Sequence, residues 1–134
     1  MLRDIVDRVA LAYDFVVMDN EAGMEHLSRR TTRDVDVLLI VTDPTVRGIA
    51  AAQAMEKMTH ELSIGVKRMG LVLNRAGNNL PPPLLEAVAK SGLELWSTLP
   101  EEPLINEYDA YGKPLVMLQA IEGLAQQVLQ AEAA

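Results

Sequence analysis

Two residues closing one short apolar run have the types and spacing to do chemistry. Asp19 and Gly23 end the stretch Tyr13-Asp14-Phe15-Val16-Val17-Met18-Asp19-Asn20-Glu21-Ala22-Gly23, an Asp-x-x-Ala-Gly pattern. A carboxylate at a strand tip suits a hard, partly hydrated Mg²⁺ ion, and a glycine lets a backbone N–H approach a phosphate closely. The same residues also fit a buried strand ended by an N-cap aspartate, and spacing alone leaves both readings open. No Gly-x-x-x-x-Gly-Lys-Ser/Thr phosphate loop occurs in the sequence. Cysteine is absent, and His26 and His60 lie far apart, so disulfides, thiolate metal sites and a histidine metal site are not expected.

These residues need elements to hold them, and the pattern along the chain alternates helix and strand. Leu2, Ile5, Val6, Val9 and Tyr13 recur at helical spacing, which predicts a first helix. Phe15 to Asp19 reads as the first strand, and residues 22–32 as a short helix or ordered loop. The run 36–42, Asp-Val-Leu-Leu-Ile-Val-Thr, reads as a strand. Asp43-Pro44 then reads as an N-cap with proline at the first helical position, opening a helix to about Leu62. Its expected apolar face is Val46, Ala50, Ala54 and Met58. A third strand is expected at 69–74, a helix at 84–91 stopped by Gly92, and a fourth strand at 93–99. A loop follows up to Lys113. Pro114 opens a last helix with Leu115, Leu118, Ile121, Ala125, Val128 and Leu129 as its stripe.

Strands separated by helices of this length pair in parallel, and their continuous apolar character fits a sheet covered on both faces. The expected fold is α/β: a three-layer, mostly parallel sheet of about four strands, in a single domain over residues 1–134. Ligands of such sheets bind at the C-terminal strand tips. Here the tips carry Asp19, Thr42-Asp43, Asn74-Arg75 and Pro100-Glu101-Glu102. A net charge of −7 argues against a nucleic-acid partner or an anionic membrane surface. No apolar run approaches the roughly 20 residues of a membrane span, and the start is not that of a signal peptide, so a cytoplasmic location is expected.

With these tips in view, nearly the whole chain resembles the C-terminal half of a P-loop ATPase of the MinD/ParA/NifH superfamily. Within it, the segment from Asp19 to Thr31, Asp-Asn-Glu-Ala-Gly-Met-Glu-His-Leu-Ser-Arg-Arg-Thr, resembles the switch II segment of CooC-type proteins. Those are accessory ATPases for nickel insertion into carbon monoxide dehydrogenase. The resemblance implies that Asp19 is the Walker B aspartate, holding Mg²⁺ through water, and that Gly23 senses the γ-phosphate. It implies that Asn74 with Arg75 reads the adenine edge, while Pro100, Glu101 and the segment 111–115 close over the base. ATP and Mg²⁺ follow as cofactors, with a homodimer or oligomer as the assembly and carbon monoxide dehydrogenase as a partner. Read without the resemblance, Asn74 equally suits an Asx turn, Arg29 and Arg30 a solvated helix end, and His26 the surface.

The family's Gly-rich phosphate loop with its lysines, its switch I carboxylate and its Cys-x-Cys nickel motif are not found in the sequence. No catalytic residue is therefore assigned within this chain by itself, and turnover by the chain alone is not expected. One alternative is a non-enzymatic, dimerising or regulatory remnant of the same fold. Another is a receiver-like phosphoacceptor domain, prompted by Val17-Met18-Asp19, Thr98 and Lys113-Pro114. It lacks the acidic pair such a domain needs upstream. In the family, the phosphate-loop strand lies between the strands matching Val16–Asp19 and Val37–Thr42. Without it, the expectation is that these two strands pair directly or that a second copy covers their edges.

Overall fold

The computed structural model describes residues 12–20, 34–77, 79–115 and 126. The expected first helix before residue 12, the segment 22–32 with Gly23, His26, Arg29 and Arg30, and the last helix beyond Leu115 lie outside the described residues. Six elements alternate: β1 (Asp34–Thr42), α1 (Val46–Glu61), β2 (Gly65–Leu73), α2 (Pro82–Ser91), β3 (Leu95–Thr98) and α3 (Pro103–Ala110). The strands form a parallel sheet in the order β1-β2-β3. β1 and β2 pair from Asp34 opposite Gly65 to Thr42 opposite Leu73, and β2 joins β3 from Leu71 opposite Leu95 to Leu73 opposite Thr98.

Local chemistry sets the element ends. Thr45, not Asp43, caps α1: its hydroxyl accepts the Gly48 N–H at 2.9 Å, and the helix starts after Pro44 rather than with it. Prolines in the first turn open α2, where missing N–H groups cost nothing, and Gly92 ends it at φ 76°, a left-handed conformation that glycine adopts without strain. The loop expected between β3 and Lys113 instead contains α3. Pro103 occupies its first turn and the Glu102 carboxylate caps it by accepting the Leu104 N–H at 3.1 Å.

One face of the sheet carries the core. Ile40, Leu71 and Leu73 meet Ile49 and Ala52 of α1, Leu84 of α2, and the loop residues Ala76 and Leu93. Each large aliphatic side chain buried this way contributes about 1.5–3 kcal/mol. The α1 face differs from expectation. Ile49, Ala52 and Thr59 are buried, whereas Val46, Ala50 and Ala54 are exposed. Alanines at 50, 51, 52 and 54 give the helix little periodicity, so the branched Ile49 decides which face turns inward. On the other sheet face, the Trp96 ring lies directly over Gly70 and the Arg68 guanidinium sits 4.8 Å from the ring centroid.

The first expected strand is not formed. Phe15 to Asn20 pair with no strand, and Phe15 and Val17 are 88% and 90% exposed. Direct pairing of this segment with β1 is thereby excluded in this structure. A short apolar run becomes a strand only where a neighbouring strand takes its backbone groups, and among the described residues the sheet offers this segment no such pairing.

Lys67 and Asp36 form an ion pair across β1 and β2, both side chains well exposed. The Asp36 carboxylate, through its hydrogen bond and then its charge, raises the Lys67 ammonium above its ordinary 10.5. Any stability this gives is complete below that pH and lost as pH rises through the raised value, so it does not vary near neutrality. Lys67→Ala is expected to leave the urea midpoint at pH 7 where it is, since pairs this exposed contribute little.

Candidate functional site

The C-terminal tips of the three strands are stitched together by their own backbones. The Asn74 N–H donates to the Thr42 carbonyl, the Leu99 N–H to the Leu73 carbonyl, and the Ala76 N–H to the Leu99 carbonyl, each at 2.8 Å. The turn after β2 is thus held between the tip of β1 on one side and the segment after β3 on the other. The turn Asn74–Ala76 is thereby held next to Leu99, the residue that leads into Pro100 and Glu101.

At this rim of the sheet, Asn74 is half-buried, while Arg75, Pro100 and Glu101 are exposed. Arg75 has φ 56°, a left-handed conformation that costs a side-chain-bearing residue roughly 1–2 kcal/mol. The flanking hydrogen bonds of Asn74 and Ala76 hold it there. The Asn74 carboxamide makes no hydrogen bond to any described residue, so the Asx-turn role is not realised. A half-buried amide that presents one acceptor and a donor pair matches the paired donor and acceptor of an adenine edge.

Helix α1 begins close to the same rim. A Cβ on Gly48 would overlap the Thr42 hydroxyl and the Asp43 carbonyl, so glycine is what lets the first turn of α1 come so near the tip of β1. Beyond α3, the Lys113 ammonium sits 5.2 Å from the centroids of both Tyr108 and Tyr111 and 3.8 Å from the Glu107 carboxylate. Its N–H donates to the Tyr108 carbonyl, and Gly112 at φ 61° makes the turn possible. These contacts fix the segment 111–114 against the end of α3. The sequence signal for that arrangement was the Glu102-Pro103 pair followed by Ile105 and Tyr108 at helical spacing.

Asp19 is not part of this rim: it is exposed, in the segment that joins no strand of the sheet. Gly23 lies outside the described residues. Among the described residues no group of three or more His, Cys, Asp or Glu side chains could hold a metal, and no helix is long and apolar enough to cross a membrane.

No family model matches the chain. An uncharacterized ATP-binding protein of Methanocaldococcus jannaschii is 44% identical over 115 residues, which are 85% of this chain and 45% of that protein. The carbon monoxide dehydrogenase accessory protein CooC of Rhodospirillum rubrum is 37% identical over 60 residues, 45% of this chain and 22% of that protein. Among solved structures, a ParA family ATPase of Chlorobium tepidum has a TM-score of 0.72 at 22% identity, over 96% of this chain and 53% of the other. The cell division ATPase MinD of Pyrococcus furiosus has a TM-score of 0.68 at 24% identity, over 98% and 55%. The α/β fold is thus the one found in MinD and ParA ATPases, and the chain spans about half the length of the proteins it matches.

Proposed function

We propose that this chain is the base-binding part of an ATP-binding protein of the MinD/ParA kind. The observation that carries the reading is the half-buried Asn74 carboxamide, without a hydrogen-bond partner among the described residues, at the strand tips next to the turn that bonds the Leu99–Pro100 link. The 44% identity to an ATP-binding protein supports the nucleotide, and the match to two ATPase folds supports the scaffold. In this reading Asn74 and Arg75 orient adenine from below and the Pro100-Glu101 link borders it. Phosphate binding comes from a second half of the fold, which supplies backbone amides and a lysine. Mg²⁺ supplies charge neutralisation of the phosphates when bound, with Asp19 as its water-mediated carboxylate and Gly23 as the γ-phosphate sensor.

We further propose that the parent activity is CooC-like, serving nickel insertion into carbon monoxide dehydrogenase. The run from Asp19 to Thr31 and the 60-residue likeness to CooC support this client over others. Nickel would be cargo held by the other half, since this chain has no cysteine.

The test joins the chain to a phosphate-binding half and measures Mg-ATP binding by calorimetry. Asn74→Ala is expected to weaken ATP about tenfold, the effect of losing one to two neutral hydrogen bonds, while GTP changes little. An Asn74→Ala protein that binds ATP as tightly as the parent would remove adenine reading from this residue.

A further inference from the structure

Helix α3 is held by its ends and not by its middle. None of its residues is buried, Ile105 and Tyr108 are half-buried, and Leu104 and the adjoining Tyr111 are 44% and 73% exposed. Eight residues without a buried face do not make a helix on propensity alone, since isolated helices below about 12–15 residues are marginal in water. Both ends are closed instead. At the start, Pro103 sits in the first turn and the Glu102 carboxylate accepts the Leu104 N–H. At the finish, the Gly112 N–H donates to the Asp109 carbonyl and the Lys113 N–H to the Tyr108 carbonyl, with Gly112 left-handed. This is the paired bonding of a glycine-terminated helix, which an apolar contact across the last turn usually completes. Here the Lys113 ammonium takes that place, over the rings of Tyr108 and Tyr111 and 3.8 Å from the Glu107 carboxylate.

We propose that α3 melts and re-forms as a unit while the sheet stays folded, that Lys113 is the latch on this equilibrium, and that the state of α3 sets the order of the Pro100–Glu101 link. Leu99 is pinned to the sheet, since its N–H donates to the Leu73 carbonyl and its own carbonyl accepts the Ala76 N–H. Glu102 is tied to α3 as its cap, and its carbonyl accepts the Ile105 N–H. Pro100 and Glu101 therefore run from a fixed anchor to a helix held by its ends. From Leu99 to Pro103 the chain reaches at most about 14 Å, so α3 starts close to the turn Asn74–Ala76. With α3 formed, both ends of the link are fixed; with α3 melted, the Leu99 end alone is. A ligand that touches the ordered link binds the population with α3 formed, and the strength of the latch scales its apparent affinity. The inference uses neither Asn74 nor a nucleotide, so it stands or falls separately from the function proposed above.

Amide hydrogen exchange of the whole chain, read residue by residue by NMR, tests it. The amides of Ile105, Tyr111, Gly112 and Lys113 are expected to exchange with one common opening, at least about a hundredfold faster than those of Leu71, Asn74 and Leu99 in the sheet. Lys113→Met keeps the apolar stem and removes the cation, and should speed the α3 amides at least about threefold while the sheet amides keep their rates. Gly112→Ala attacks the same end through the backbone, because alanine is strained at this φ, and should speed them about tenfold. In both variants the Glu101 amide should gain fast motion, seen as a lower order parameter, while Leu73 does not. Exchange of α3 at the rate of the sheet would overturn the proposal, since the helix would then open only with the whole fold. So would variants that speed sheet and helix alike, or neither. A Glu101 that stays as ordered as before while α3 opens faster would break the tie between helix and link, and the proposal with it.

Discussion

Gly70→Ala is expected to lower the unfolding free energy by about 3 kcal/mol, a large share of the 5–15 kcal/mol typical of a domain. Two effects oppose each other at this position. Alanine is favoured over glycine within a strand by about 0.5–1 kcal/mol, which on its own would stabilise β2. Against it stands the Trp96 indole, whose six-membered ring already occupies the place of an added Cβ. The ring is rigid, and Arg68 sits over it, so relief requires moving β3 or turning the tryptophan off its rotamer. The overlap outweighs the propensity. Trp96 is the protein's only tryptophan, so its fluorescence follows both the transition and any shift of the ring. In urea unfolding, Gly70→Ala combined with Trp96→Leu should recover much of the loss, because the smaller side chain vacates the contested space. The double-mutant coupling is the decisive quantity. A Gly70→Ala protein as stable as the parent would show that the indole is not seated on this glycine.

The part of the sheet that could be read from sequence is the part with local redundancy. The strand Asp34–Thr42 has an unbroken apolar run, and α2 has prolines before it and a left-handed glycine after it. Both signals act within a few residues. The first half of β2 has no such signal: Gly65, Lys67 and Arg68 read as loop, and only pairing with Asp34, Val35 and Val37 makes them strand. The α3 helix was hidden by prolines and acids, although Pro103 and Glu102 are what start it. The run at Phe15–Asp19 reads as a strand but forms none in the described sheet, because β-propensity acts only through a neighbouring strand. The candidate site divides the same way. Asn74, Arg75, Pro100 and Glu101 follow strands whose tips lie at one end of the sheet, a placement that parallel strand order alone predicts. Asp19 was expected at a tip only because a strand was expected beneath it. The close approach of α1 to the tip of β1 at Gly48 had no sequence signal, since it depends on tertiary packing.

The largest functional effect should come from supplying the phosphate-binding half. Alone, the chain is expected to bind Mg-ATP only at millimolar concentrations or weaker. In the proposed reading, Asn74, Arg75, Pro100 and Glu101 would meet the base through a few neutral hydrogen bonds, each contributing about 0.5–1.5 kcal/mol. A glycine-rich loop would add several charge-assisted bonds at about 1.5–3 kcal/mol each. Two or three of these raise the affinity by at least roughly a hundredfold. Calorimetry of the chain alone and of the joined halves gives the comparison directly. Asp19→Ala then separates binding from turnover. Because Asp19 is exposed and outside the sheet, its loss should leave the thermal unfolding of this chain unchanged. In the joined protein the same substitution should abolish ATP hydrolysis while adenosine binding persists. Micromolar Mg-ATP binding by the chain alone would mean that phosphate recognition resides in these 134 residues after all. An Asp19→Ala chain that no longer folds would make this carboxylate a structural cap, and the metal-side role would pass to another residue.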